Sequence, residues 1–344
     1  MKSTERTILI TGGFGFIGSH LVEVLIKESN LRLHVVDNLS TSPIHLSDYL
    51  KSLGSPARLT YDTCSVKEYL SRKNLPAFDE VCHLASVVGP VGVLKHAGRI
   101  LQTMVEDAYS LAEYATRVNA RLCDVSTSEV YGGGRDGYCS EKDSMIIPPT
   151  VSVRLEYAVA KLGCEVALMN MTKVTDLYAT IVRPFNVAGP RQSTLGGFVL
   201  PRFIKQALAG QPITVYGDGH MVRAFTHVRD IADGIVRVMR RGQRGTPYNI
   251  GNPANKTTIL ELARKVIQFV GSKSAITFVD PKVLWGPLFE EANDKYPDAD
   301  RAMKELGWHP QYSLEDIISE TTDHIRKEQA DGRQYTAAAA TNVS

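Results

Sequence analysis

The sequence predicts an α/β fold built on a doubly wound parallel sheet, with a smaller C-terminal α/β portion. Two observations predict it. In the first half of the 344-residue chain, short apolar runs typical of buried strands alternate with longer segments of helical periodicity. Such alternation indicates right-handed β-α-β units, which place helices on both faces of a parallel sheet. After Pro184 the alternation becomes irregular, which indicates a second portion of different architecture.

The first predicted strand, Ile8–Thr11, runs directly into the glycine-rich segment Thr11–Gly18. Its glycines, three positions apart, allow a tight turn from strand to helix and a close approach of the backbone to a diphosphate. Free N–H groups at the start of the following helix can bind that anion. The segment therefore predicts a dinucleotide site. The residues expected to line it are Gly12, Gly15, Phe16, Ile17 and Gly18.

A carboxylate follows the second predicted strand, Leu33–Val36. Asp37 lies nineteen positions after Gly18, where it can accept hydrogen bonds from a ribose hydroxyl. The same carboxylate would repel the 2′-phosphate of NADP. The predicted cofactor is therefore NAD.

The other elements follow in order along the chain. Four more strands of the sheet are predicted at Arg58–Tyr61, Glu80–Leu84, Arg121–Ser126 and Tyr178–Val182. Helices are predicted at about 16–28, 98–117 and 153–172. The second portion has a predicted strand at Ile213–Tyr216 and helices at 196–209, 228–239, about 258–270 and about 313–326. The small, polar tail, 331–344, is predicted to be flexible.

Composition excludes several classes of partner. Lysine and arginine number 39 and aspartate and glutamate 37, so no net field attracts nucleic acid or a membrane surface. No apolar run approaches the length of a membrane span, and no secretory signal is visible. The five cysteines lack metal-ligand spacing, so we expect no metal and buried thiols in the cytoplasm.

The glycine spacing, Gly-x-x-Gly-x-x-Gly, resembles that of the short-chain dehydrogenase/reductases. The resemblance implies a Tyr-x-x-x-Lys pair downstream, and Tyr157 and Lys161 supply it within the predicted helix at 153–172. Four residues apart, they share a helix face, where the lysine ammonium favours the tyrosine phenolate. Tyr157 is thus the predicted catalytic base, and both side chains are also expected to contact the cofactor.

A second polar motif, Ser126–Gly132, follows the predicted strand Arg121–Ser126. It therefore lies at the carboxyl edge of the sheet, where open α/β sheets bind ligands. A hydroxyl there can bridge the substrate and the tyrosine, and a carboxylate two positions later can move a second proton. The catalytic candidates from this motif are Thr127, Ser128 and Glu129.

Over nearly its whole length the chain resembles the extended short-chain dehydrogenase/reductases, the NAD-dependent sugar-nucleotide epimerases, dehydratases and decarboxylases. Matching segments include Asp37–Ser40, His83–Ser86, Arg183–Asn186, Gly189–Arg191 and Val215–Gly219. The resemblance implies further cofactor contacts from Asn38, Ser40, Asp62, Thr63, Leu84, Ala85 and Ser86. It implies a nucleoside-diphosphate sugar, with a UDP-sugar favoured, bound by Asn186, Arg191, Val199, Arg202, Tyr216 and Arg223.

The same resemblance implies a division of the chain. Residues 1–183, with about 220–245, are expected to form the NAD-binding Rossmann domain, and 184–219 with 246–328 the nucleotide-sugar domain. Paired helices at 98–117 and 153–172 imply a homodimer by analogy. One departure is Met104, where many relatives have asparagine.

Glu129, Arg154 and Lys295 bear on the choice of reaction. Thr127-Ser128-Glu129 and Arg154, three residues before Tyr157, are similar to the motifs of UDP-glucuronate decarboxylases. Arg154 could pair with a substrate carboxylate. Those decarboxylases have arginine where this chain has Lys295, the residue then expected near the carboxylate. UDP-glucuronate decarboxylation is the first hypothesis; a UDP-sugar 4-epimerase, a 4,6-dehydratase and, more remotely, a non-catalytic NAD-binding sensor stay open.

Overall fold

A computed structural model describes residues 5–132, 137–147, 152–194, 197–286 and 294–331. Within them, seven strands form one sheet in which every neighbouring pair is parallel. The predicted fold class is confirmed. In spatial order the strands are β12 (Thr246–Ile250), β7 (Tyr178–Pro184), β5 (Arg121–Val125), β4 (Glu80–His83), β1 (Arg6–Thr11), β2 (Leu31–Val36) and β3 (Leu59–Asp62).

Eight short strands form pairs outside this sheet. They are β6 (Tyr138–Cys139), β8 (Val187–Ala188), β9 (Ile213–Tyr216), β10 (Val222–Ala224), β11 (Thr226–His227), β13 (Lys256–Thr258), β14 (Ile276–Val279) and β15 (Tyr296–Pro297). The helices are α1 (Phe16–Leu25), α2 (Leu46–Ser52), α3 (Val66–Leu70), α4 (Pro90–Lys95), α5 (Ile100–Val118), α6 (Val153–Val174), α7 (Val199–Leu208), α8 (Val228–Arg241), α9 (Ile259–Val270), α10 (Pro281–Trp285), α11 (Asp300–Leu306) and α12 (Leu314–Ala330).

Helices cover both faces of the large sheet because alternate residues of its strands point to opposite sides. Ile8 and Ile10 of β1 lie in a fully buried cluster with apolar residues of α1 and α8. Leu9, between them, packs on the other face with apolar residues of α5 and α6. Each fully buried side chain of this size contributes about 1.5–3 kcal/mol to folding.

The smaller portion has its own core, formed mainly by α7, α9 and α12 over the β9–β14 pair. Two of these helices begin with reciprocal capping boxes, Thr258 with Glu261 and Ser313 with Asp316. The predicted helix at 196–209 begins in the structure at Val199. Residues 195 and 196, like the tail from 332, lie outside the described residues.

The strand β12 differs from the sequence division, which assigns 246–328 to the smaller portion. It extends the large sheet beside β7, with Tyr248 and Ile250 in the main core. Trp308 lies in the same core, and its Nε1 donates to the Asp230 carbonyl at 3.0 Å. Burial of these apolar rings against α8 therefore ties part of the C-terminal third to the dinucleotide-type sheet.

No disulfide links the five cysteines, all of which lie in the described part of the chain and are buried. Across the described residues, no helix is both long and apolar enough to traverse a bilayer.

Two buried histidines predict acid sensitivity. Burial and nearby Arg229 lower the pKa of His227 to about 4, and burial and Arg191 lower that of His20 well below its ordinary range. At these two histidines the unfolded chain therefore binds more protons than the folded protein as pH drops from about 6.5 to 4, so their contribution to stability is lost through this window. Asp107 and Asp230 oppose this loss, because burial raises the pKa of each to about 6. We expect the two histidines to cost on the order of 2 kcal/mol in urea-unfolding free energy. His227→Gln should flatten this slope, whereas His96→Gln, at an exposed position, should not.

Candidate active site

The glycine-rich turn between β1 and α1 is shaped by close backbone contacts. A Cβ at Gly12 would lie 2.7 Å from the Ala85 nitrogen, and one at Gly18 would lie 2.1 Å from the Gly12 carbonyl oxygen. These two glycines are required by the protein's own packing.

Gly15 is different because its φ of −74° suits any residue, and a Cβ there would meet only the Gly12 oxygen, at 3.2 Å. The missing side chain keeps the start of α1 accessible. That helix begins at Phe16 with neither a side-chain cap nor an acidic residue in its first turn. Its first N–H groups, among them those of Phe16 and Ile17, therefore fit a diphosphate anion.

Asp37 lies directly beside this turn. Its carboxylate accepts from the Phe14 N–H at 2.9 Å and from the Leu39 N–H at 2.8 Å. Burial raises its pKa, and the backbone N–H groups partly oppose that rise. The carboxylate thus holds the glycine turn in place, in addition to its predicted contact with ribose. Beyond it, the Asn38 Oδ1 accepts from the Ser40 N–H at 3.1 Å and so shapes the following loop.

The other predicted cofactor segments end the neighbouring strands. Asp62, at the end of β3, pairs with Arg72 at 3.0 Å and with His34 at 3.1 Å, while Thr63 is exposed. After β4, the Leu84 N–H donates to the Thr11 carbonyl at 2.9 Å, and the Ala85 N–H approaches its hydroxyl. Ser86 completes this turn, which packs against the glycine segment. The structure thus gathers the predicted cofactor residues along one edge of the sheet.

Tyr157, Lys161 and Thr127 meet at the same edge. The Tyr157 hydroxyl is hydrogen-bonded to Thr127, and the Lys161 ammonium donates to the Val125 carbonyl at 2.8 Å. Burial raises the pKa of Tyr157, although Lys161 and Thr127 pull it down. Burial also opposes the charge of Lys161, but Asp124 and Tyr157 outweigh it and raise its pKa. Tyr157 is therefore a neutral phenol in the protein alone, beside a charged lysine.

Glu129 is held between two cations. Arg154 contacts its Oε2 with Nε at 2.8 Å and with Nη2 at 2.7 Å, and the buried Lys295 ammonium donates to its Oε1. Burial favours the protonated carboxyl, but the two cations outweigh it and lower the Glu129 pKa to about 2. Burial lowers the Lys295 pKa to about 8, against the opposing charge of Glu129. The structure thus brings together the three residues that bear on the choice of reaction, while Ser128 beside them is buried.

Lys295 reaches this position from the C-terminal third of the chain. Its segment runs beside Arg223, and the next two residues, strand β15, pair with β6. The Asn186 amide donates to the carbonyls of Ala224 and Lys295 at 3.3 and 3.4 Å. Asn186, a predicted diphosphate ligand, therefore also joins the segments that position Arg223 and Lys295.

Two other predicted substrate residues stack on each other. The Arg202 guanidinium carbon lies 3.8 Å from the centre of the Tyr216 ring. Arg202 is on α7, whose first residue is Val199, and Tyr216 ends β9. A stacked arginine and aromatic ring form a surface suited to a nucleotide.

Arg191 has partners on another element. Its guanidinium donates to both carboxylate oxygens of Glu23, at 2.6 and 2.9 Å, and contacts the His20 ring. Both partners belong to α1. In this structure Arg191 fastens its loop to the first helix, so its predicted role at the substrate diphosphate would require that ion pair to open.

The comparisons with known proteins agree with this geometry. The model of the "NAD dependent epimerase/dehydratase family" matches residues 8–251. The chain belongs to this family. It is 32% identical over 329 residues to a UDP-N-acetyl-alpha-D-glucosaminuronate decarboxylase of Bacillus cytotoxicus, covering 94% of this chain and 98% of that protein. It is also 32% identical to UDP-glucuronic acid decarboxylase 1 of Xenopus tropicalis, covering 95% of this chain and 74% of that protein.

The chain is also similar to solved structures. The UDP-glucuronic acid 4-epimerase of Bacillus cereus, in complex with UDP-glucuronic acid and NAD, superposes with a TM-score of 0.79. The two are 26% identical over 93% of this chain and 99% of that one. The predicted family and its NAD dependence are confirmed. Gly15 and the uncapped start of α1 fit the NAD diphosphate.

One buried polar network of the protein was not predicted from its sequence. The Arg183 guanidinium donates to both carboxylate oxygens of Glu165, and Ser126 donates to the same carboxylate at 2.5 Å. Arg183 also donates to Tyr131 at 2.8 Å, and Tyr131 donates to Asn249 at 2.7 Å. The available signal was an arginine inside a strand buried on both faces, where a charge needs a partner. The network anchors Ser126, directly before the catalytic candidate Thr127.

Proposed function

We propose that this protein is a decarboxylase of a UDP-linked uronic acid, with UDP-glucuronate as the first candidate substrate. The observation that carries the proposal is Glu129 held between Arg154 and Lys295 beside Tyr157. Two cations at a sugar site suit a substrate that carries its own carboxylate. The relatives from Bacillus cytotoxicus and Xenopus tropicalis, both named as uronate decarboxylases, support it.

The first step uses residues that the proposed reaction shares with epimerisation and dehydration. Gly15 and the start of α1 would hold NAD, which would supply a hydride acceptor for C4 of the sugar and the hydride that is returned later. Tyr157 accepts the proton of the C4 hydroxyl, with Thr127 bridging the two groups by hydrogen bonds. Lys161 stabilises the phenolate form of Tyr157 through its positive charge.

The second step depends on a change of partners at Glu129. In the protein alone this carboxylate is an anion and cannot act as an acid. A substrate carboxylate that pairs with Arg154 would replace Glu129 there, and the loss of one cation would raise the Glu129 pKa. When CO₂ leaves, the electron pair of the C5–C6 bond becomes a C4–C5 double bond, and the C4 carbonyl becomes the oxyanion of that enolate. Glu129, protonated from solvent, then supplies the proton that forms the new C5–H bond.

The test is incubation of the purified enzyme with UDP-glucuronate, followed by the mass and stereochemistry of the product. A product lighter by the mass of CO₂ supports the proposal. An isomer of equal mass would assign the protein as a 4-epimerase instead. No turnover of UDP-glucuronate or UDP-N-acetylglucosaminuronate, with loss of water from a neutral UDP-sugar, would assign a 4,6-dehydratase. Tight NAD binding without turnover of any of these would favour the sensor hypothesis.

Glu129→Gln should separate the two steps. The amide cannot deliver a proton to C5, so product formation should fall by about 10²–10³-fold while reduction of the bound cofactor by UDP-glucuronate persists. Absorbance of the reduced cofactor and product mass, followed together, measure both steps. Glu141→Gln is a matched control because that carboxylate accepts from the Asn249 N–H, away from Arg154. An equal loss of both steps in Glu129→Gln would contradict the assigned role.

We also propose a cytoplasmic homodimer. The helices α5 and α6 pack together and leave Leu101, Tyr109 and Val166 about half exposed, which supports pairing with the same helices of a second copy. Five buried thiols without a disulfide suit a reducing compartment. Sedimentation equilibrium tests the assembly, with a monomer mass at micromolar concentration as the contrary result.

A further inference from the structure

A buried carboxylate on β5, Asp124, has no part in the chemistry described so far. It is 1% exposed, and its Oδ2 has no hydrogen-bond partner among the residues that the structure describes. Such a group is costly to bury unless a charge offsets the loss of hydration. The question is which group does so.

The sheet register places Asp124 in a polar row at the carboxyl edge. Across β1, β4 and β5, Thr11 is paired with His83, and His83 with Asp124. Two residues earlier on its strand, Leu122 packs in the cluster formed with α5 and α6. Because alternate residues of a strand share a face, Asp124 also points toward these helices.

Lys161 approaches the same place from α6. It precedes Leu168, a member of that cluster, by two helical turns, so both lie on the face turned toward the sheet. Its ammonium donates to the carbonyl of Val125, the residue next to Asp124, at 2.8 Å. Lys161 therefore lies close to Asp124, where burial raises the pKa of the carboxyl and the lysine charge opposes that rise.

The helix α5 offers Lys161 no comparable polar group at Met104, where many relatives have asparagine. Here Met104 is buried in an apolar cluster with Cys164, against which Tyr157 packs. From the sheet, Asp124 offers Lys161 a buried carboxylate.

The other titratable groups around Asp124 leave Lys161 as the cation facing it. His83 is neutral because burial and Lys161 lower its pKa to about 3. Glu165 on α6 is bound to Arg183. The remaining groups that interact with this cluster are Tyr157 and Cys164 on α6, Asp107 on α5 and Glu129 after β5.

We propose that Asp124 is a positioning residue, a buried anion that holds Lys161 charged and in place and makes the Tyr157 phenolate more basic. It acts through Lys161 and through its field at Tyr157, without touching the substrate. The inference concerns proton removal from the sugar hydroxyl, which decarboxylation, epimerisation and dehydration share. It therefore rests only on the C4 oxidation step of the proposed function.

Asp124→Asn removes the charge and keeps the shape. We expect the Tyr157 pKa in the NAD-bound enzyme to fall by about one to two pH units, as for a unit charge roughly 6–12 Å away at an effective dielectric constant of about 20. Ultraviolet difference absorbance of the phenolate, measured without sugar, gives this pKa independently of turnover. The acidic limb of the pH profile of kcat/KM should move to lower pH by the same amount.

Two further variants complete the test. Asp107→Asn, a half-buried carboxylate on α5 that also faces Lys161, should leave the phenolate titration close to that of the parent enzyme. Asp124→Leu should move the titration in the same direction as Asp124→Asn. Agreement between the two variants would show that the lost charge causes the shift, and that a contact of the new amide does not. An unchanged phenolate pKa in folded Asp124→Asn would overturn the proposal, whatever substrate the enzyme proves to use.

Discussion

Tyr157→Phe should lower kcat by about 10²–10⁴-fold, the range expected for loss of a positioned general base. The Tyr157 phenol is hydrogen-bonded to Thr127, which gives its proton a defined route. The nearby Lys161 ammonium supplies a positive charge that stabilises the phenolate. The ring itself packs in an apolar cluster that phenylalanine would preserve. Single-turnover reduction of the bound cofactor, followed by absorbance, measures the step directly.

The matched control is Tyr114→Phe. Tyr114 is also buried, on α5, and its hydroxyl donates to the Pro76 carbonyl far from Thr127. Loss of that bond should cost about 1 kcal/mol of stability and leave kcat close to that of the parent enzyme. If Tyr157→Phe were folded and still reduced its cofactor at the parent rate, another group would have to be the base.

Arg183→Met should destabilise the protein by about 3–5 kcal/mol, because it leaves Glu165 as an uncompensated buried charge. Both side chains of the pair are almost completely buried, at 1% and 0% exposure. Tyr131 would also lose a donor to its hydroxyl. Urea unfolding followed by circular dichroism gives the free energy, and the loss should exceed that of any single surface ion pair.

A double variant, Arg183→Met combined with Glu165→Leu, tests whether the charge pair causes this loss. Removing both charges should restore much of the lost stability, because the remaining side chains can pack as an apolar pair. The structure predicts that activity would not return to the same extent, because Ser126 would have lost its acceptor beside Thr127. A double variant no more stable than Arg183→Met alone would show that the charge pair is not the source of the effect.

The parts of the site predictable from sequence are those defined by short-range geometry. The strand, glycine turn and helix around Thr11–Gly18 follow from apolar runs and glycine spacing. Tyr157 and Lys161 lie on one face of their helix because they are four residues apart. Helix ends are harder to predict: the helix predicted at 98–117 spans Ile100–Val118 in the structure. Such boundaries depend on caps and tertiary contacts that periodicity does not contain.

The parts that sequence could not supply depend on contacts between distant segments. Lys295 and Glu129 are 166 positions apart in the sequence and form an ion pair in the structure. The sequence predicted that both lie near the sugar, but it could not show that they bind each other. Arg191 has the chemistry of a phosphate ligand, yet the fold brings it to Glu23. The strand Thr246–Ile250 joins the large sheet because its apolar residues complete that core. In each case the partner of the residue or segment was set by topology.

The route by which Lys295 reaches Glu129 has a consequence for when the enzyme can first work. Its segment is held by a two-residue strand against Tyr138–Cys139, and the Asn249 amide fastens the Asp298 carbonyl just beyond it. During synthesis the base and its lysine emerge well before this cation. A partly made chain lacks this cation and also lacks β12 and Trp308, which complete the core of the large sheet. Catalysis therefore begins only after the last third of the polypeptide has docked.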